Sequence, residues 1–174
     1  MRSNYASPSH REAYTSGAVV LMLALATIAA AWGFEIIGKY IPCPLCLQQR
    51  WAYYAGIPLA FVALVLLSGG KARLSALMFT LVSLMFLANA GLGTYQAGAE
   101  WAWWPGPQTC GTMQAIGGAG GPGLLDKLDT TKVIKCDEAQ WRFAGLSFAG
   151  WNVVVSLVLA AAALKAGLAA ASKD

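Results

Sequence analysis

Charge is what this sequence has least of. Only 11% of its 174 residues are Asp, Glu, Lys or Arg, against roughly a quarter in an ordinary soluble domain. With 57% apolar residues besides, the chain cannot cover a globule with water-compatible surface. Histidine is almost missing: His10 is the only one, and in the polar N-terminal stretch it reads as a solvated tail residue. A histidine-based catalytic or metal site beside the cysteines is thereby excluded. The basic residues form no patch and no reading motif, so the net charge of +4 gives no case for nucleic acid. No internal repeat is present. Cysteine is scarce as well: there are four, none inside an apolar core.

What the chain has instead is four apolar runs, at about 18–38, 51–68, 74–93 and 148–168. Each approaches the roughly 20 residues that an α-helix needs to cross the hydrocarbon layer. Their only ionisable residues are Glu35 and Lys165, both near an end where a side chain reaches the interface. The expected fold is an all-α membrane protein, a four-helix transmembrane bundle forming a single integral domain over 1–174. A cleaved signal peptide is the rival reading of the first run, since Arg2 and Arg11 precede it and Ala29–Ala31 resembles a cleavage site. Its apolar stretch exceeds a signal core of about 7–15 residues, however, and cleavage would remove a helix the bundle needs.

Orientation follows from the basic residues. With both termini cytoplasmic, the inner segments carry Arg2, Arg11, Lys71, Arg73, Lys165 and Lys173 against Glu12 and Asp174. The outer segments, a short loop at about 39–50 and a long one at about 94–147, balance their charges. All four cysteines then fall outside, where disulfides persist.

Locally, residues 1–16 read as a surface-lying tail, with Thr15 and Ser16 as N-caps of the first helix. Pro42 and Pro44 disfavour helix through the short outer loop. Pro58 is expected to kink the second helix, and Ser68–Arg73 to turn tightly into the third. Trp101, Trp103 and Trp104 suit an aromatic belt. Gly117–Gly123 holds five glycines and reads as a flexible tether. Leu124, Leu125 and Leu128 alternate with charges as a short amphipathic piece, fit either for the bilayer surface or for packing on the bundle.

The chemistry lies in the sulfurs. Cys43 and Cys46 form a C-x-x-C leading into a helix, where unpaired amides and the dipole favour thiolate. Arg50 follows Cys46 by four residues, one helical turn, and a guanidinium there stabilises a thiolate or a reduced anionic ring. Snorkelling to phosphate head groups is the other use of such an arginine. A disulfide between Cys110 and Cys136 would close a loop built to move, which suits an exchangeable bond better than a staple. The wide spacing of that second pair argues against a four-cysteine zinc site, and no metal is expected.

The run Cys43-Pro44-Leu45-Cys46-Leu47-Gln48-Gln49-Arg50 after a first membrane helix, the second outer cysteine pair, and the segment Cys136-Asp137-Glu138-Ala139-Gln140-Trp141-Arg142-Phe143-Ala144-Gly145-Leu146-Ser147 resemble the DsbB family. These are bacterial inner-membrane thiol oxidases that re-oxidise a periplasmic dithiol protein, DsbA, with quinone. The resemblance covers the whole chain. It implies attack by a DsbA-like partner on Cys110 of a Cys110–Cys136 disulfide and release of Cys136. Electrons then pass by exchange to Cys43–Cys46, with Cys43 exchanging and Cys46 facing a quinone (ubiquinone or menaquinone) beside Arg50. It also implies inner-membrane location with the cysteines on the periplasmic side. Relatives often read Tyr-His-Ala-Gly where this chain has Tyr95-Gln96-Ala97-Gly98. Gln96, an expected quinone contact, can donate a hydrogen bond there but cannot titrate near neutral pH. Trp103 and Trp104 are further candidates to flank the ring. An enzyme of the vitamin K epoxide reductase type is separated by order, since that family places its C-x-x-C after the loop cysteines. A non-catalytic membrane scaffold with structural disulfides is the remaining alternative.

Overall fold

The computed structural model describes residues 7–106, 139 and 141–172. Four long helices account for most of them: α1 (Pro8–Ile36), α2 (Pro44–Ser68), α3 (Ala72–Glu100) and α4 (Phe148–Ala171). Each is long and apolar enough to cross a membrane, with mean hydropathy of 1.8 to 2.2 over its best window. A two-stranded hairpin, β1 (Arg142–Phe143) with β2 (Leu146–Ser147), leads into α4. Ala144 and Gly145, at φ 51° and 82°, supply the left-handed pair that a tight hairpin turn requires.

Three helices are markedly longer than the apolar runs announce, two of them for reasons of capping. α1 starts at Pro8 because the Ser7 hydroxyl caps it, accepting from the His10 amide at 3.3 Å. Thr15 and Ser16 are therefore not caps; the Thr15 hydroxyl donates back to the Arg11 carbonyl at 2.8 Å in mid-helix. His10 is correspondingly not a solvated tail residue but buried, at 6% exposure. α2 begins seven residues before Trp51, because Pro44 occupies the first helical position, where a missing N–H costs nothing. Pro44 thus starts the helix rather than preventing it, while Pro42 lies in the non-helical stretch before it. α2 runs through Pro58 without interruption, and α3 continues past Gly93 to Glu100.

Large apolar side chains such as Met22, Phe61, Leu77, Leu84 and Val158 point outward, as a surface facing lipid tails demands. Inside, Phe79, Phe86, Val82 and Leu159 are fully buried. In lipid, helices associate through close packing and interhelical hydrogen bonds, and both occur. Gly167 lies so close to α3 that an added Cβ would sit 3.3 Å from the Ala76 carbonyl oxygen. Ser83 donates to the Ala160 carbonyl at 2.9 Å, and Ser75 to that of Ala63 at 2.8 Å. An ion pair of Lys165 with Glu12 at 3.1 Å ties the end of α4 to the start of α1. The C-x-x-C therefore sits at the opposite end of the bundle, beside the hairpin.

Candidate functional site

Cys43 is the N-cap of α2: its backbone is extended (φ −74°, ψ 162°) and its sulfur accepts from the Cys46 amide at 3.2 Å. The first helical turn brings the two Cα atoms to 5.1 Å, and the sulfurs form a disulfide. Cys43 is buried, at 4% exposure, and Cys46 is partly buried.

A third helix touches both sulfurs. Gln96 of α3, 3% exposed, holds its amide nitrogen 3.3 Å from Cys43 Sγ and 3.3 Å from Cys46 Sγ. Its orientation is dictated by a chain of side chains crossing the bundle. Tyr53 Oη donates to Asn152 Oδ1 at 2.7 Å, Asn152 Nδ2 to Gln49 Oε1 at 2.6 Å, and Gln49 Nε2 to Gln96 Oε1 at 2.7 Å. Every carbonyl oxygen in the series is used, so the last NH2 group must face the sulfurs. That nitrogen also reaches Glu100 Oε1, one turn further along α3, at 3.4 Å.

Beside the disulfide opens a cavity of about 240 Å³. Cys43, Cys46, Gln96 and Glu100 line it, together with Arg50 and Glu35, whose side chains form an ion pair from Arg50 Nη1 to Glu35 Oε2. Its remaining wall is mainly apolar, with Ile28, Ala31, Phe34, Tyr40, Trp141 and Phe148 among its residues. Trp141 stacks on Phe148 at 4.8 Å, and Phe34 meets Phe148 edge-on at 5.0 Å. The arrangement joins an exchangeable sulfur pair, a fixed amide donor and a guanidinium to a mainly apolar chamber inside a membrane bundle.

Residues 14–166 match the family described as Disulfide bond formation protein DsbB. The chain belongs to the DsbB family. It is 30% identical to Disulfide bond formation protein B of Hahella chejuensis, over 82% of this chain and 88% of that protein. A second protein of that name, from Albidiferax ferrireducens, is 28% identical over 72% and 75% respectively. An uncharacterised protein of Rickettsia prowazekii is 22% identical over 81% and 80%. No solved structure matches the chain significantly.

Against this DsbB framework, Cys43, Cys46, Arg50 and Gln96 all line one cavity. Cys110 and Cys136, the glycine tether and the amphipathic leucines lie outside the described residues. Cys43, expected to be the exchanging sulfur, is the more buried of its pair. Arg50, expected either to stabilise a thiolate or reduced ring or to snorkel to head groups, has its guanidinium engaged by Glu35 in this oxidised site. Trp103 and Trp104 do not line the cavity. Trp104 instead stacks on Tyr95 at 6.1 Å and donates to the Tyr95 carbonyl at 2.9 Å.

Sequence reasoning missed Gln49, Tyr53, Asn152, Glu35 and Glu100 as members of the site. A signal existed. Amides and carboxylates within or at the ends of membrane helices are expensive, and they mark functional interiors.

Proposed function

We propose that the chain oxidises a DsbA-like periplasmic dithiol protein and passes the electrons to membrane quinone. The observation that carries this is the Cys43–Cys46 disulfide opening onto a mainly apolar cavity, with Gln96 and Arg50 at its polar end. The partner's dithiol is exchanged for its disulfide at Cys110–Cys136, and the reduced loop pair then reduces Cys43–Cys46. Each exchange forms one S–S bond and breaks one, so two electrons move at every step.

A quinone ring fits the chamber: its walls are mainly apolar and aromatic, it has room for one substituted ring, and the Arg50 guanidinium offers donors to a carbonyl oxygen, while the Gln96 amide faces the sulfurs. Bound there, a quinone supplies an acceptor of two electrons and two protons. The protein's own groups prepare the transfer. The first turn of α2 and the Gln96 amide direct N–H donors at the sulfurs, weak partners for a disulfide and strong ones for a thiolate. Arg50 stands by with a permanent positive charge, held in place by Glu35. Because Cys43 is buried, exchange with the loop pair requires the groups above it to part.

The test mixes purified protein with reduced partner and a short-chain ubiquinone and follows quinone absorbance. Stoichiometric loss of quinone with partner oxidation is expected. Partner oxidation at full rate in protein lacking any one of the four cysteines would sink the reading.

A further inference from the structure

Oxidation of a dithiol releases two protons with its two electrons, and the amide in contact with both sulfurs cannot take either. Gln96 does not titrate. Nor can the Gln49–Asn152 series carry a proton onward, because an amide passes one only through an unfavourable tautomer. We infer that the Glu100 carboxylate takes a proton from the Cys43–Cys46 pair and delivers it into the adjoining cavity, an inference that rests on the thiol-oxidase reading above.

The placement supports this. Glu100 Oε1 accepts from the same Gln96 nitrogen that lies 3.3 Å from each sulfur. Its second oxygen, Oε2, is out of solvent and makes no well-formed hydrogen bond among the described residues, the Ser147 hydroxyl meeting the carboxyl only outside good hydrogen-bond geometry. A buried carboxylate oxygen so weakly satisfied costs free energy. The position makes sense for a group that is protonated during part of a cycle, because the acquired proton removes the buried charge.

Among the described residues, the other carboxylate and the phenol beside the amide series are already committed. Glu35 is held in its ion pair with Arg50, and the Tyr53 hydroxyl donates to Asn152. From the hairpin, Arg142 and Ser147 act on the Glu100 carboxyl, and Arg142 Nη2 also donates to the Glu100 carbonyl at 3.3 Å. An arginine gives up no proton near neutrality, so it can hold Glu100 in place but cannot substitute for it.

The step balances. The Cys43 and Cys46 thiols lose two electrons and two protons as their S–S bond forms, and a membrane quinone gains both to become quinol. Ionised Glu100 accepts one thiol proton, yields it to a quinol oxygen and ends the turnover ionised. The second thiol proton leaves to solvent, and solvent returns one to the quinol.

The experiment uses full-length protein in phosphatidylcholine nanodiscs, wild type beside Glu100→Gln and Glu100→Asp. Single-turnover reduction of a short-chain ubiquinone by pre-reduced protein is followed across pH. In parallel, with quinone absent, alkylation of the Cys43/Cys46 peptide is timed by mass spectrometry at fixed pH. Glu100→Gln should slow quinone reduction about 100-fold, the lower end for a positioned acid–base group, and Glu100→Asp should recover most of the rate. Alkylation should quicken several-fold in Glu100→Gln, since a negative charge that opposes thiolate is gone, and stay near wild type in Glu100→Asp. Full-rate quinone reduction by Glu100→Gln overturns the inference and leaves the thiol-oxidase reading intact. A slowed rate with unchanged alkylation also overturns it, because the carboxyl then acts only on the fold. Wild-type protein that reduces no quinone overturns the reading itself.

Discussion

Gln96 and Cys43 sit on different helices, 53 residues apart in the chain, with the Gln96 amide nitrogen 3.3 Å from the Cys43 sulfur. The same nitrogen lies equally close to Cys46. One amide on α3 thereby registers the sulfur pair at the start of α2, and the hydrogen-bonded series behind it prevents the amide from flipping. The disulfide is built into the polar interior of the bundle rather than into a free loop.

Removing the Gln96 amide should weaken both fold and chemistry. Gln96→Ala leaves buried Gln49 without its acceptor, a loss of about 1–3 kcal/mol for an unsatisfied polar group. Thermal melts in detergent should show the lower stability. Alkylation of the reduced Cys43/Cys46 pair at fixed pH should slow several-fold, because a donor to the thiolate is gone.

The cysteine variants should separate the two halves of the relay. Cys43→Ser or Cys46→Ser is expected to abolish quinone reduction while the partner still forms a mixed disulfide with Cys110. Cys110→Ser should stop that capture altogether. Non-reducing gels and quinone absorbance read the two halves independently.

Arg50 and Glu35 should prove unequal despite their contact. Arg50→Gln removes the guanidinium from the cavity and should raise KM for a short-chain ubiquinone about ten-fold or more. Arg50→Lys should restore little, because a point charge does not replace a planar fork. Glu35→Gln keeps an amide oxygen that can accept from the guanidinium and so hold it, and is expected to keep KM near wild type. Steady-state kinetics on the three variants decide it.

Glycines in the helices should divide by what faces them. Gly167→Val places methyl groups against the α3 backbone near Ala76 and should cost about 1–3 kcal/mol by overpacking. Among the described residues, Gly33 and Gly91 have no non-local atom within 4 Å of an added Cβ. Gly33→Ala and Gly91→Ala should therefore be neutral or stabilise by up to about 1 kcal/mol. Denaturation in mixed detergent micelles should rank them in that order.

Helix ends show where reading along the chain loses force. Apolar runs mark the stretch that must lie in lipid, but a helix continues as long as its backbone finds partners and its ends are capped. Ser7, Cys43 and the α3 turn through Gln96 extend three helices beyond their apolar cores. Pro44 carried the opposite meaning to the one expected: the same ring that blocks a helix interior suits its first residue.

The sequence by itself determined the four membrane helices, the C-x-x-C at the head of α2 and the DsbB-family pattern, because hydropathy, cap chemistry and motif spacing are sums or intervals along one chain. Only the tertiary structure decided that Arg50 pairs with Glu35, that Gln49, Gln96 and Asn152 join across three helices, and that Glu100 turns a carboxylate oxygen to the interior. These depend on how each helix is rotated about its axis and how closely it meets its neighbours. In lipid that rotation is settled by packing of small residues and by buried hydrogen bonds between positions 47 and 103 residues apart, and no local pattern in the chain encodes it.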